Sequence, residues 1–486
     1  MEPMLHNVKV LQVCNIAPPH LSVSNTTLPL TFFDLPYLIR SPSELILFYE
    51  LQAIDDLYFM DTIVTKIKHS LSHTLKHFYP LSGTLSWPPE SNKPIMTYTD
   101  GDSVRLTVAE SNGNFNHLSS IYARNADELQ PLVPQLISDS KKQVPLLAVQ
   151  VTLFPHSGVS IGITTHHAVM DGRAASLFIT SWASVCRLSN EAPLSSQEPS
   201  TLLSSASFPF FDRDVVKDPN GLENLYLEAL IKLIRSKNMS ENNCDDWLLV
   251  SKSQKVSENA ITATFELTNT DFERLKRWVM ACKSEELGDQ QKPIQLSRFV
   301  LACAYTWVCL AKASSSISST VHDDEELASI VFVVDCRSRT DPPIPPTYFG
   351  NCCVPIKVSA KREDIVGKNG IVVAVDCILK EMRGISVAVH NCPELRLSRT
   401  LNTGSNRVYS IAGSPQFGFY KIDFGFGKPK KIELASIART GSILNILDVP
   451  HGSFKPPHRV TKLAGEKEKL LEEEGDQQPS GNWCMS

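Results

Sequence analysis

Between Gly158 and Arg173 the chain reads GVSIGITTHHAVMDGR, and no other stretch restricts its fold as tightly. Val159, Ile161 and Ile163 alternate with small residues, the two-residue period of a strand with one face on a core. From Arg173 onward RAASLFITSWASVCRL carries helical spacing, so one short turn holding His166, His167, Asp171 and Gly172 joins strand to helix. Asp171 stands where an N-cap stands. Upstream, PLLAVQVTLFP is a second strand, and Pro155, His156, Ser157 and Gly158 make the join a hairpin.

The same mixture extends along the chain. HNVKVLQVC and KPIMTYTDGDSVRLTVAES read as strands, and MDTIVTKIKHSLSHTLKHFYP as a helix closed by Pro80. SNEAPLSSQEPSTLLSSASFPFF, from Ser189, has linker composition. A second half of the same type follows, with ITATFELT and ELASIVFVVDCRSR as strands and NTDFERLKRWVMACKS as a helix. Later come RVYSIAGSP and YKIDFGFGKPKKIELASIART. The reading is α+β: an N-terminal domain over 1–188, a linker over 189–215, a C-terminal domain over 216–448, and a cleft between the domains where ligands bind.

Composition narrows the function classes. Net charge is −5, so no overall field draws nucleic acid or an anionic membrane. The twelve cysteines show no CxxC pairs, which argues for free thiols in a reducing cytoplasm over a zinc site or a disulfide framework. The N-terminus lacks signal-peptide organisation, and the longest apolar run, FVLACAYTWVCLA, is too short to span a bilayer.

A single buried histidine is usually a satisfied core residue, but two at a strand end with Asp-Gly behind them suit a general base at the cleft edge. A metal would need further ligands, and none sits at ligand spacing nearby. A histidine with an ordinary pKa of about 6.5 is the natural base near neutral pH.

HHAVMDG resembles the HxxxD motif of CoA-dependent acyltransferases, and DFGFG at 423–427 the DFGWG motif of the plant BAHD acyltransferases. YFGNC at 348–352, TLPLTFFDL, LKHFYPLSG and AGSPQFGFY are similar to the branch that acylates anthocyanin, flavonoid and phenolic glucosides. The resemblance, from about Val8 to Ser442, implies two chloramphenicol-acetyltransferase-like domains with the active-site channel between them, the first also receiving a segment from about 361–395. It implies His167 as general base in direct transfer from acyl-CoA to an acceptor hydroxyl. Asp171 is then structural and orients His167, with Arg337 as its candidate partner. Asp423, Gly425 and Gly427 belong to a structural motif. Phe426 stands where the family has Trp, so any oxyanion contact of the indole N–H has to come from elsewhere.

Lys276, Ser297 and Arg298 match the family's CoA-binding region, and Gly425, Phe426 and Gly427 are grouped with the binding residues. Lys428, Lys430 and Lys431 form a basic run that suits either an exposed strand face or a phosphate contact. No cofactor or metal is expected; acyl-CoA is the co-substrate and a glycosylated phenolic the acceptor. Malonyl-CoA is the expected donor, its carboxylate suiting Arg173. Gln416, where the branch often has a basic residue, keeps hydroxycinnamoyl transfer as the alternative. The family expectation is a cytoplasmic monomer. Beyond Ser442 the chain departs from the family text. From His451, Pro456, Pro457 and the many charges predict a disordered tail over 449–486, an exposed strand edge and lowered stability or activity.

Overall fold

The hairpin around Ser157 forms the centre of a six-stranded sheet. The computed structural model describes residues 7–52, 54–138, 142–188, 208–237, 260–287, 296–317, 327–384, 408–436, 443–445, 447–448, 454–455 and 457–461. The sheet runs β1 (Val8–Ile16), β3 (Val104–Ser111), β4 (Leu147–Phe154), β5 (Gly158–Thr165), β2 (Ser43–Glu50) and β9 (Lys431–Leu434). All pairs are antiparallel except β3 with β4. Every residue of β4 and β5 is buried, although their sequences alternate. The polar face is covered by the segment around Pro131 to Pro134, whose carbonyls accept from Gln150 and Thr164. Gly162 makes this cover possible, because a Cβ there would stand 2.1 Å from the Leu132 carbonyl oxygen.

A four-stranded sheet takes β7 (Cys353–Lys361), β6 (Leu327–Asp335), β8 (Val408–Ala412) and β10 (Ile443–Asn445) in that order. Helices cover both sheets. α1 (Thr65–His77) packs on α2 (Gly172–Leu188), where the Trp182 indole N–H donates to Ser70 Oγ. α3 (Asn269–Leu287), α4 (Arg298–Ile317) and α5 (Gly370–Arg383) pack together beside β7. Among the described residues no helix is long and apolar enough to cross a membrane.

Four expectations are corrected here. The 361–395 segment does not join the first sheet in its described part: the buried stripe of Val372, Val375 and Ile378 places α5 against α4 and β7. β9 crosses instead. Its Lys431 and Glu433 are buried against Arg124 and Thr264, so Lys431 is neither surface nor phosphate ligand. The end of the expected linker is folded too, since Phe210 brackets the 347–349 backbone and Arg213 is buried on Tyr348. Finally, Pro457–Thr461 is a strand, antiparallel to Ala260–Thr264, and Phe454–Lys455 pairs with Leu447–Asp448. Pro457 opens its strand, a position where a missing N–H is tolerated. The expected disorder over 462–486 lies outside the described residues.

Candidate active site

A cavity of about 1540 Å³ is walled by Ile163 and Thr165 of β5 on one side and by Val331, Val333, Val354 and Ser410 of the second sheet on the other. The turn after β5 delivers two histidines with different fates. His166 is fully buried, and its backbone N–H donates to the Leu146 carbonyl. Its Nδ1 accepts the Ala168 N–H at 3.3 Å, which leaves the proton on Nε2, where no hydrogen-bond partner stands among the described residues. His167 lines the cavity, with Nδ1 buried. Burial lowers the pKa of each ring to about 4, so both are neutral at neutral pH.

Asp171 has no capacity left for base chemistry. Its Oδ1 accepts the N–H groups of Arg173 and Ala174 at 3.1 and 3.0 Å, capping α2. Oδ2 accepts the Cys352 N–H at 3.0 Å, and both oxygens meet the Arg337 guanidinium at 2.8 and 3.1 Å. Burial opposes the charge of Arg337, but Asp171 beside it holds its proton more tightly than usual. Arg337 also donates to the Tyr348 and Gly350 carbonyls. The helix start is thus fixed to the 348–352 loop.

That loop holds the histidine turn from a second direction. The side-chain amide of Asn351 donates to the His167 carbonyl at 3.0 Å and to Asp34 Oδ1 at 3.1 Å, and Asp34 accepts from Thr31. Asp34 and Asn351 are fully buried. Residue-by-residue reading assigned neither a role, because a lone Asp and a lone Asn 317 positions apart carry no spacing signal. The signal present was that both fall inside quoted motifs, TLPLTFFDL and YFGNC.

Arg173, Ser297, Arg298 and Gln416 all line the cavity. Arg173 is paired with Asp335 Oδ2 at 3.0 Å and donates to the Pro346 carbonyl. Ser297 Oγ accepts the Val300 N–H as a cap for α4, and Arg298 lies over the Phe272 ring. Lys276 is exposed on α3, away from the cavity lining. Lys430 is spent on Glu50 and Asn116.

Gly425, Phe426 and Gly427 are not beside the cavity, which corrects their grouping with the binding residues. Asp423 Oδ1 accepts the N–H groups of Gly425 and Gly427, whose φ values of 97° and 100° suit glycine. Phe426 meets Tyr49 edge-on at 4.9 Å. Tyr49 lies opposite Val159 and Ser43 opposite Thr165, so at about 3.4 Å per residue this loop sits roughly 20 Å from the histidine turn. The missing indole therefore removes no oxyanion contact.

Phe417 closes the helix start. A Cβ on Gly172 would fall 2.4 Å from its ring, and Ser176 Oγ donates to the Phe417 carbonyl. Gly172→Ala is expected to cost about 1–3 kcal/mol by overpacking. An unchanged urea midpoint would show that the ring swings aside freely.

The Transferase family model matches residues 7–453. The chain is 34% identical over 436 residues to phenolic glucoside malonyltransferase 2 of Arabidopsis thaliana, covering 88% of this chain and 90% of that one. It is equally, 34%, identical over 449 residues to coumaroyl-CoA:anthocyanidin 3-O-glucoside-6''-O-coumaroyltransferase 1 of the same plant, covering 90% of each. The crystal structure of vinorine synthase shares the fold, with a TM-score of 0.63, 17% identity and coverage of 94% of this chain and 95% of that chain. The matched family model and these relatives, which extend over the histidine turn and its Asn351 and Arg337 supports, show that the chain belongs to the BAHD acyltransferases.

Proposed function

We propose that this acyltransferase moves a malonyl group from malonyl-CoA to a sugar hydroxyl of a phenolic or flavonoid glucoside, with His167 as general base. The observation that carries the reading is a neutral imidazole on the wall of a large cavity, its backbone held by Asn351 and its following helix by Asp171. His167 Nδ1 is buried; in this reading it carries the ring proton, and Nε2 accepts the hydroxyl proton as the oxygen attacks the thioester carbonyl. The tetrahedral intermediate collapses, the C–S bond breaks, and the imidazolium returns its proton to the CoA thiolate. Ester and free CoA leave, and no acyl-enzyme forms. The same reading makes the protein a cytoplasmic monomer, for which the family resemblance is the support.

Arg173 faces the cavity half-exposed, and its guanidinium suits a malonyl carboxylate. The Asp335 contact already neutralises it, and Gln416 adds no charge, which favours hydroxycinnamoyl-CoA as the second reading. An equimolar mixture of malonyl-CoA and coumaroyl-CoA with one phenolic glucoside is expected to yield mainly malonyl ester by mass spectrometry. A product carrying only coumaroyl overturns the malonyl assignment, and no CoA release from either donor overturns both.

A further inference from the structure

Tyr37 lies flat against the base. Its ring stacks on the His167 imidazole, centroids 4.2 Å apart and planes 13° from parallel. The phenol oxygen is 3.2 Å from Cys353 Sγ, and all three side chains line the cavity. A one-turn segment, Leu35–Tyr37, delivers the ring, with Pro36 fixing its backbone. Asp34 leads that turn and binds Asn351, which binds the His167 carbonyl. A single hydrogen-bonded chain therefore sets the register of both rings.

An aromatic face packed on an imidazole does two things. It restricts rotation of the ring, and its negative π face attracts the positive charge that the ring acquires with the acceptor's proton. The neutral imidazole of the resting enzyme gains less from that face, so the contact favours the transition state over the ground state. We propose that Tyr37 is a positioning residue for acyl transfer, holding the His167 ring and stabilising its protonated form. The proposal rests on the reading of His167 as the base.

The test uses the full-length enzyme with Tyr37→Phe, Tyr37→Leu, pentafluorophenylalanine at position 37, and His167→Ala, measuring kcat and both KM values. Tyr37→Leu is expected to lower kcat about 5- to 30-fold, the rate equivalent of a desolvated cation–π contact, with each KM within about threefold. Tyr37→Phe keeps the stack and should stay within about threefold of the parent kcat. The fluorinated ring has nearly the same shape with its quadrupole reversed, and should behave like Tyr37→Leu; it also supplies the answer if that variant does not fold. Parent-like kcat in Tyr37→Leu or with the fluorinated ring overturns the proposal, as does a defect in Tyr37→Phe equal to that of Tyr37→Leu. Normal turnover by His167→Ala instead overturns the base assignment itself.

Discussion

His167→Ala is expected to lower kcat by about 10²- to 10⁴-fold, the usual contribution of a general base, while acyl-CoA still binds. The variant removes one ring from the cavity wall and leaves Asn351 bonded to a backbone carbonyl that any residue supplies. CoA release by the purified variant at near-parent rate would remove His167 from the role. The pH profile is a second readout. Burial lowers the pKa of both rings from an ordinary 6.5 to about 4, so the folded protein binds fewer protons than the unfolded chain between those values. Stability is then fully present above about pH 6.5 and declines as pH falls toward 4. The base stays neutral over the same window, so kcat/KM should show no acid limb near 6.5 and should fall only below about pH 5. A limb centred at 6.5 would mean a solvated ring.

Arg337→Met is expected to destabilise the fold by about 3–5 kcal/mol, the cost of leaving a buried charge without its partner. Asp171 and Arg337 are 7% and 3% exposed, so water cannot replace the lost guanidinium. Asp171 would keep the N–H groups of Arg173, Ala174 and Cys352, whereas the Tyr348 and Gly350 carbonyls would lose a donor. Because one loop also carries Asn351, activity should fall with stability. Adding Asp171→Asn removes the orphaned charge and should recover part of the loss, a coupling readable in a double-mutant cycle. A single-variant urea midpoint within about 0.5 kcal/mol of the parent would show that the pair carries little.

The histidine turn was legible because its determinants are local: an alternating strand, an N-cap aspartate and a helical stripe lie within one short window. Its supports were partly legible. Arg337 was named as the partner of Asp171, but the Asp34–Asn351 clamp had to wait for the fold to bring distant residues together. β9 was misread for a physical reason: KIEL alternates charge with apolar residues, as a solvated strand does, and burial of those charges is tolerable because Glu433 pairs with both Arg124 and Lys431, and Lys431 also bonds Thr264. DFGFG was drawn toward the cavity by its motif status, whereas its glycines and aspartate build a loop that packs on Tyr49. At the C-terminus, prolines and charges concealed a strand because Pro457 occupies its first position.

The placement of β9 also has a consequence in time. Its Lys431 pairs with Phe48, so β2 is translated about 380 residues before the strand that covers its outer edge. At about 5–20 residues per second, a nascent chain waits roughly 20 to 80 s with that apolar edge open, and Arg124, made 309 residues ahead of Glu433, waits roughly 15 to 60 s for its carboxylate partner. During that interval the edge is a template for mispairing with other chains. A folding helper that shields the emerging N-terminal half should therefore raise the yield of native enzyme far more when present during synthesis than when added after release.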